Sequence, residues 1–354
     1  MSADEPRSEL TLGPATRLFW RSPDSIHLEL GGSAVVVEGL PAALLRRVAS
    51  PIAPPEPADP LDGPAGQALA ALTEAGYLWA RSGDHDDSRL TPPDPRLAGE
   101  LAALAVQHGA AAADVLSARR HASVEVHGTS RVAVHLACVL AAAGVGRVRC
   151  VASGVARLSH AVPGGVAAGD EGVVLAAAAE AALRRAAPEV DTAPLPVDER
   201  PDLTILATDS PVGVERLAAL HAADAPYLAV AVNLESGIVG PLVLPGLTSC
   251  LQCADLHRAD RDPAWSALAV QLTIGRRHGP ASAVAVATVV AGVAAQQALT
   301  FLDGGEPDCI DATIELRLPD WRLRRRSWPM HAECECSRHN GQRDDHGRAE
   351  DQPP

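Results

Sequence analysis

The sequence predicts an α/β protein, a doubly wound parallel sheet behind a small α+β module. Three observations predict it. From about residue 98 apolar strand-like runs alternate with helical ones, as "ASVEVHG" (122–128), "RVAVHLACVLAAAG", "GRVRCVA" (146–152), "VVLAAAAEAALRRAAP", "DLTILATD" (202–209), "GVERLAALHAAD" and "PYLAVAVN" (226–233). Continuous apolar strands separated by helices read as a parallel sheet covered on both faces. The first hundred residues lack that rhythm and carry a hairpin signal instead. The chain has 354 residues, 47% of them hydrophobic, enough for one large domain and a smaller one.

In the front segment, "SIHLELGGSAVVVEG" alternates Ile26, Leu28 and Leu30 with His27 and Glu29, and Gly31-Gly32 supplies the turn. A short helix "LPAALLRRVA" follows, then "AGQALAALTEAGYLW", in which Leu69 and Leu72 share a face and Gly76 offers a C-terminal stop. Pro-rich stretches at 50–66 and 91–96 read as loops, because proline breaks both regular patterns. Hairpin, helices and a short strand over residues 1–97 resemble a small winged-helix module. Residues 98–337 then form the sheet domain, and the polar segment 338–354 reads as a disordered tail.

Two later elements depart from the parallel pattern. "CIDATIELRL" alternates Ile310, Ala312, Ile314 and Leu316, as a half-exposed antiparallel strand does. The stretch 281–302 is nearly long enough to span a bilayer, but it is mostly Ala and Val and carries Thr288, Gln296 and Gln297. It reads as a core or subunit-interface helix, with no membrane association.

The formal charge is -14, and all 30 basic residues are arginine. The absence of lysine excludes any mechanism that needs its ammonium group, and without a basic face no nucleic-acid partner is expected. "MSADEPRSEL" has no signal-peptide pattern, so the expected location is cytoplasmic. Seven cysteines in that setting do not suggest a disulfide framework; paired thiols point to metal or catalysis.

Cys250 and Cys253 have a spacing that lets one tight turn offer two thiolates to a tetrahedral ion, and "HAECEC" adds Cys334 and Cys336 eighty residues later. Four thiolates in two close pairs satisfy a structural zinc, which would tie the C-terminus back to the sheet domain. His331 is a substitute ligand in reach. A redox pair is the alternative, but it would leave the second cysteine pair unexplained. Cys138, Cys150 and Cys309 read as buried small hydrophobes. The run "DLHRADRDPAW" is either a solvated helix start or a docking patch built from His257, Arg258, Asp260 and Arg261.

With these elements in order, "VLAAAGVGRVRCV", "DLTILATDS", "GPLVLPGLTSCLQC", the Ala-rich helix and the closing "CEC" resemble the ThiF, MoeB and HesA family of ubiquitin-activating-type adenylyltransferases over residues 98–336. The resemblance implies a Rossmann-like sheet whose first strand runs into a Gly-x-Gly-x-x-Gly loop for ATP. Here that loop is "HGTSRV", where only Gly128 matches and Arg131 and Val132 stand where the family keeps backbone open. Ala152 or Ser153 replaces the ribose-binding acid, and the ATP-contacting lysine is missing. Arg184 and Arg185 are no drop-in replacement for it. Asp209 matches the magnesium-binding aspartate, although "DSPVGVERL" also lets it cap a helix. With most of the positioned charge and open backbone gone, the expectation is that ATP and magnesium contacts, and adenylation with them, are lost.

A ThiF-like body behind a winged-helix-like front resembles the leader-peptide-binding partners of thiazole/oxazole-modified peptide biosynthesis, which carry a peptide recognition element and work with a YcaO-type cyclodehydratase. The resemblance implies a precursor peptide that adds a strand along Ala34, Val35, Val36 and Val37, with apolar contacts from Leu69 and Leu72. The expected oligomeric state is a homodimer. Three other readings remain open: a hairpin that merely closes a small domain, a working adenylyltransferase, using Asp209, that activates a peptide or a small sulfur-carrier protein, and a structural or regulatory homodimer that binds no peptide.

Overall fold

The computed structural model describes residues 9–39, 64–81, 94–208, 212–274 and 282–336. The helix expected at 40–49, most of the first Pro-rich stretch, half of the second, Asp209 and the tail at 338–354 lie outside the described residues. The chain forms two compact units, residues 1–118 and 119–354.

The first unit begins with β1 (Glu9–Leu12), β2 (Thr16–Ser22), β3 (Ser25–Leu30) and β4 (Ser33–Glu38). Helix α1 (Pro64–Glu74), β5 (Leu78–Arg81), α2 (Ala98–His108) and α3 (Ala112–Arg119) follow. Strands β2, β3 and β4 form an antiparallel meander in that order, while β1 pairs with β5. Leu30 faces Ser33 across the Gly31-Gly32 turn, where Gly31 has φ +59°, so the expected hairpin forms in the expected register. The sequence pattern does not single out β2, because Leu18, Phe19 and Trp20 are consecutive and break alternation.

Helix α1 ends as its glycine requires: Gly76 has φ +81° and Tyr77 N–H returns to the Leu72 carbonyl at 2.9 Å. Its apolar face supplies Leu69 and Leu72 to a core with Ile26, Leu28, Leu30, Val37, Tyr77 and Leu78. A second small core joins Trp79 to Leu97, Leu101, Leu104 and Leu116. Those contacts make α2 and α3 part of the first unit, whereas the sequence pattern changes at 98.

The second unit is a seven-stranded sheet. Its elements are β6 (Ser123–His127), α4 (Arg131–Ala142), β7 (Arg147–Val151), α5 (Leu175–Ala186), β8 (Leu203–Thr208), α6 (Val214–Ala222) and β9 (Tyr227–Val232). Then come β10 (Ser236–Val243), α7 (Leu251–Arg261), α8 (Trp265–Ile274), α9 (Val284–Leu302), β11 (Ala312–Arg317) and β12 (Leu323–Ser327). The strand order is β12-β11-β10-β9-β8-β6-β7, parallel from β7 to β9 and antiparallel beyond.

Helices α4, α5 and α9 cover one face and share the main core with the sheet. Among the described residues, two stretches, 95–119 and 284–302, are long and apolar enough to cross a membrane. The first is interrupted at Gly109, and α9 buries Val286, Ala287, Val290, Ala291, Ala294 and Ala298 in this core, as its small side chains suit. On the opposite face, Leu206, Tyr227 and Val243 meet Leu217 and Leu220 of α6 and the cysteine cluster.

The expectation of a sheet covered on both faces holds for β8 and β9 but not for β6 and β7. Those two bury Val124, Val126, Val148 and Cys150 and leave Glu125, His127, Arg147 and Arg149 half-exposed on the other side. Ion pairing accounts for that polar face: Arg149 meets Glu125 at 3.0 Å and Arg147 meets Asp191 at 2.7 Å.

Candidate metal centre and switch-point crevice

Strand β10 ends at Val243 and the chain turns through "LPGLTS" into α7, with Cys250 as its N-cap and Cys253 in its first turn. The turn is fixed from two sides. Thr248 Oγ1 accepts the Leu244 N–H at 2.9 Å, and Asp311 Oδ1 accepts the Ser249 N–H at 2.6 Å. The segment after β12 brings Cys334 and Cys336 to the same point.

All four cysteines are buried, and their sulfurs lie within 4.8 Å of one another. Cys250–Cys253 is 3.8 Å, Cys250–Cys334 is 3.6 Å and Cys253–Cys336 is 3.3 Å. A tetrahedron with Zn–S of about 2.3 Å has sulfurs about 3.8 Å apart, so the donor set and its spacing fit a closed structural zinc site. Without metal, hydrogen bonds from Cys250 and then Cys336 hold the Cys253 thiol far down, while the bond to Cys253 pushes Cys250 up to about 12. Cys253 also accepts the His331 N–H at 3.4 Å.

His331 is not a fifth donor. Its Nδ1 accepts the Glu333 N–H at 3.1 Å, which leaves Nε2 to donate to Asp260 Oδ2 at 3.0 Å. The charged run that contains Asp260 is a clamp on the returning C-terminal segment. His257 Nε2 donates to the Pro329 carbonyl at 2.9 Å. Buried Trp328, whose Nε1 donates to Thr313 Oγ1 at 3.0 Å, has the guanidinium groups of Arg258, Arg261 and Arg326 over its ring at 4.8, 5.5 and 4.4 Å. Cation–π contact of this kind contributes roughly 0.5–2 kcal/mol per pair.

The sheet reverses its winding between β6 and β8, so the crevice past their C-terminal ends is where an open α/β sheet takes ligands. Gly128 closes β6 with φ +151°, and a Cβ there would lie 2.0 Å from the Ala207 carbonyl oxygen. The glycine is therefore demanded by the approach of β8. Ser130 Oγ donates to that same carbonyl at 2.9 Å.

Arg131, at the first position of α4, crosses the crevice: Nε donates to the Ser159 carbonyl at 3.0 Å and a terminal nitrogen to the Ser282 carbonyl at 2.6 Å. Val132 is buried in the core. Ala152 and Ser153 follow β7 without a carboxylate at those positions, and Asp209 falls outside the described residues. Arg184 pairs with Glu180 at 2.7 Å and Arg185 with Asp170 at 3.7 Å. Arg185 also lines a cavity of about 560 Å³ with residues 161–168.

A polar network that sequence reasoning missed lies on the exposed side of β6. His127 bonds Glu125 at 3.0 Å and Arg216 at 3.0 Å. Burial, then the Arg216 charge, lowers the His127 pKa against the opposing pull of Glu125. The period-two alternation in "VEVH" and "RVRC" is the signal that places these residues on one face.

In the first unit, β4 pairs with β3 and has no strand on its other side among the described residues. Ala34 and Val36 are exposed, Val35 is half-buried and Val37 is buried. Val36 stands across from His27, which faces exposed Phe19 on β2. Leu69 and Leu72, expected to give a peptide apolar contacts, are instead both buried in the core with Ile26, Leu28 and Val37.

No family model matches the chain, and no curated protein matches it. Solved structures do. E. coli MccB with ATP has a TM-score of 0.65 at 16% identity, covering 92% of this chain and 99% of that one. The microcin C7 biosynthetic enzyme MccB in complex with N-formylated MccA scores 0.65 at 15% identity over the same shares. PaaA scores 0.56 at 16% identity, covering 74% of this chain and 91% of its own. At these identities the likeness shows the fold, a Rossmann-like α/β body of the MccB type.

Proposed function

We propose that the chain is a peptide-binding adaptor that holds a precursor peptide for a separate modifying enzyme of the YcaO cyclodehydratase kind. The observation that carries the reading is Arg131, whose side chain bridges Ser159 and Ser282 where a nucleotide-binding loop would keep bare backbone. An enzyme of adenylyl transfer depends on that opening and on positioned charge. The solved complex of MccB with MccA supports a peptide partner for this fold. The open edge of β4 offers main-chain donors and acceptors to an added strand, with Ala34 and Val36 on its exposed face. Zinc at Cys250, Cys253, Cys334 and Cys336 would hold the C-terminal segment to α7 and take no part in chemistry. The reading takes the protein to be a cytoplasmic homodimer.

A second reading is supported by the likeness to MccB with ATP: an adenylyltransferase acting on a peptide or small-protein C-terminus, with Asp209 as its magnesium residue. The test is a fluorescence-anisotropy titration of labelled precursor peptides, encoded beside the gene, against the full-length protein with and without ATP. The adaptor reading predicts saturable binding that ATP leaves unchanged. No binding by any neighbouring peptide, or binding that requires ATP, contradicts it.

A further inference from the structure

We propose that β12, on the second unit and independent of the peptide edge described above, is a docking edge for an extended acidic polypeptide segment. It ends the seven-stranded sheet, and among the described residues no strand lies beyond it. All five of its residues, Leu323 to Ser327, are exposed. Between Ala312 and Ser327 the chain carries five arginines, Arg317, Arg322, Arg324, Arg325 and Arg326, against two carboxylates, Glu315 and Asp320. This is a local positive surplus in a chain of formal charge -14.

The register sorts these charges by face. Arg324 stands across from Glu315 and Arg326 from Thr313, while Leu323 faces Leu316 and Arg325 faces Ile314. Successive side chains on a strand point to opposite faces, so Arg324 and Arg326 share one of them, with Arg322 in the turn just before the strand. Glu315 is divided between Arg317 at 3.5 Å and Arg326 at 3.9 Å, and Arg324 takes Asp320. Arg325 is occupied on the other face by the Asp308 and Ile310 carbonyls. Arg317, Arg324 and Arg326 thus share two carboxylates, and Arg326, which also lies over the Trp328 ring, keeps a half-exposed side chain, so the face carries a surplus of one positive charge.

An added strand gains main-chain hydrogen bonds from any sequence, and side chains at every second position decide which sequence is accepted. Here those positions meet Arg324 and Arg326, with Arg322 at the position that precedes the edge, so the fitting partner has Asp or Glu at alternate positions. Exposed Trp321 and Leu323 add apolar surface at the start of the edge. Charged side chains on an edge strand also prevent indiscriminate pairing between sheets. The same arginines that repel a basic or neutral strand make pairing conditional on an acidic one.

The experiment uses the full-length protein and two eight-residue probes, one alternating Glu and Thr, the other alternating Lys and Thr. Titration is followed by Trp fluorescence and by amide hydrogen exchange. The expected result is binding of the Glu peptide alone, weakened by added salt, with exchange slowed in residues 323–327. The double variant Arg322→Ser, Arg324→Ser should bind about tenfold more weakly while its unfolding midpoint stays unchanged. Binding that the double variant retains in full, protection elsewhere than 323–327, equal binding of the Lys peptide, or no binding at millimolar peptide would overturn the proposal. Protection of 323–327 that rises with protein concentration and needs no peptide would also overturn it, because the occupant would then be a second copy of the chain.

Discussion

His331 Nε2 lies 3.0 Å from Asp260 Oδ2, and this pair separates the metal ligands from the residues that support them. With its other ring nitrogen accepting the Glu333 N–H, the imidazole is spent, and the four cysteines are left as the complete donor set. Freshly isolated protein should therefore contain about one zinc per chain. His331→Ala should keep the metal with a lower unfolding midpoint, and Cys334→Ser should lose it. Elemental analysis decides: zinc absent from the His331 variant and kept by the Cys334 variant would reverse the assignment.

Acidification should release that zinc, since thiolates must be protonated before they leave the ion, and loss of metal is loss of folding free energy. A second acid effect comes from His127. Its folded pKa is lowered, so its contribution is fully present above the ordinary histidine value near 6.5 and is lost as pH falls through the folded value. Between pH 7.5 and 5.5 the unfolding midpoint of His127→Gln should fall less than that of the wild type. Identical slopes for the two proteins would exclude the mechanism.

Val36 and Leu69 differ in burial, and their substitutions should differ in kind. Leu69 is 7% exposed, so Leu69→Ala should cost about 2–5 kcal/mol in the stability of the first unit. Val36 is 42% exposed, so Val36→Asp should leave chemical denaturation within about 0.5 kcal/mol of wild type and weaken peptide binding. Unchanged binding by the Val36 variant would remove β4 as the peptide edge.

The parallel strands, the β3–β4 hairpin, the Gly76 stop and the four-cysteine set were legible in the sequence because each rests on local periodicity or spacing. The role of the charged run was not. Nothing in "DLHRADRDPAW" says that Arg258 and Arg261 will stack on Trp328, which lies 67 residues beyond Arg261 and reaches them only after β11 and β12 have turned back. Leu69 and Leu72 were legible as one helical face, but periodicity does not say whether that face meets a core or a partner. The reason for Gly128 was also hidden, because the Ala207 carbonyl that requires it sits on a strand brought alongside by the fold.

If the chain is the adaptor proposed above, its body does not activate a substrate with ATP, and ATP–pyrophosphate exchange on the zinc-loaded, full-length protein with its precursor peptide decides between adaptor and enzyme. The crossing of Arg131 to Ser159 and Ser282 predicts no exchange above background, and no ATP binding by calorimetry. Robust exchange that Asp209→Asn abolishes would contradict the account and make the protein an adenylyltransferase.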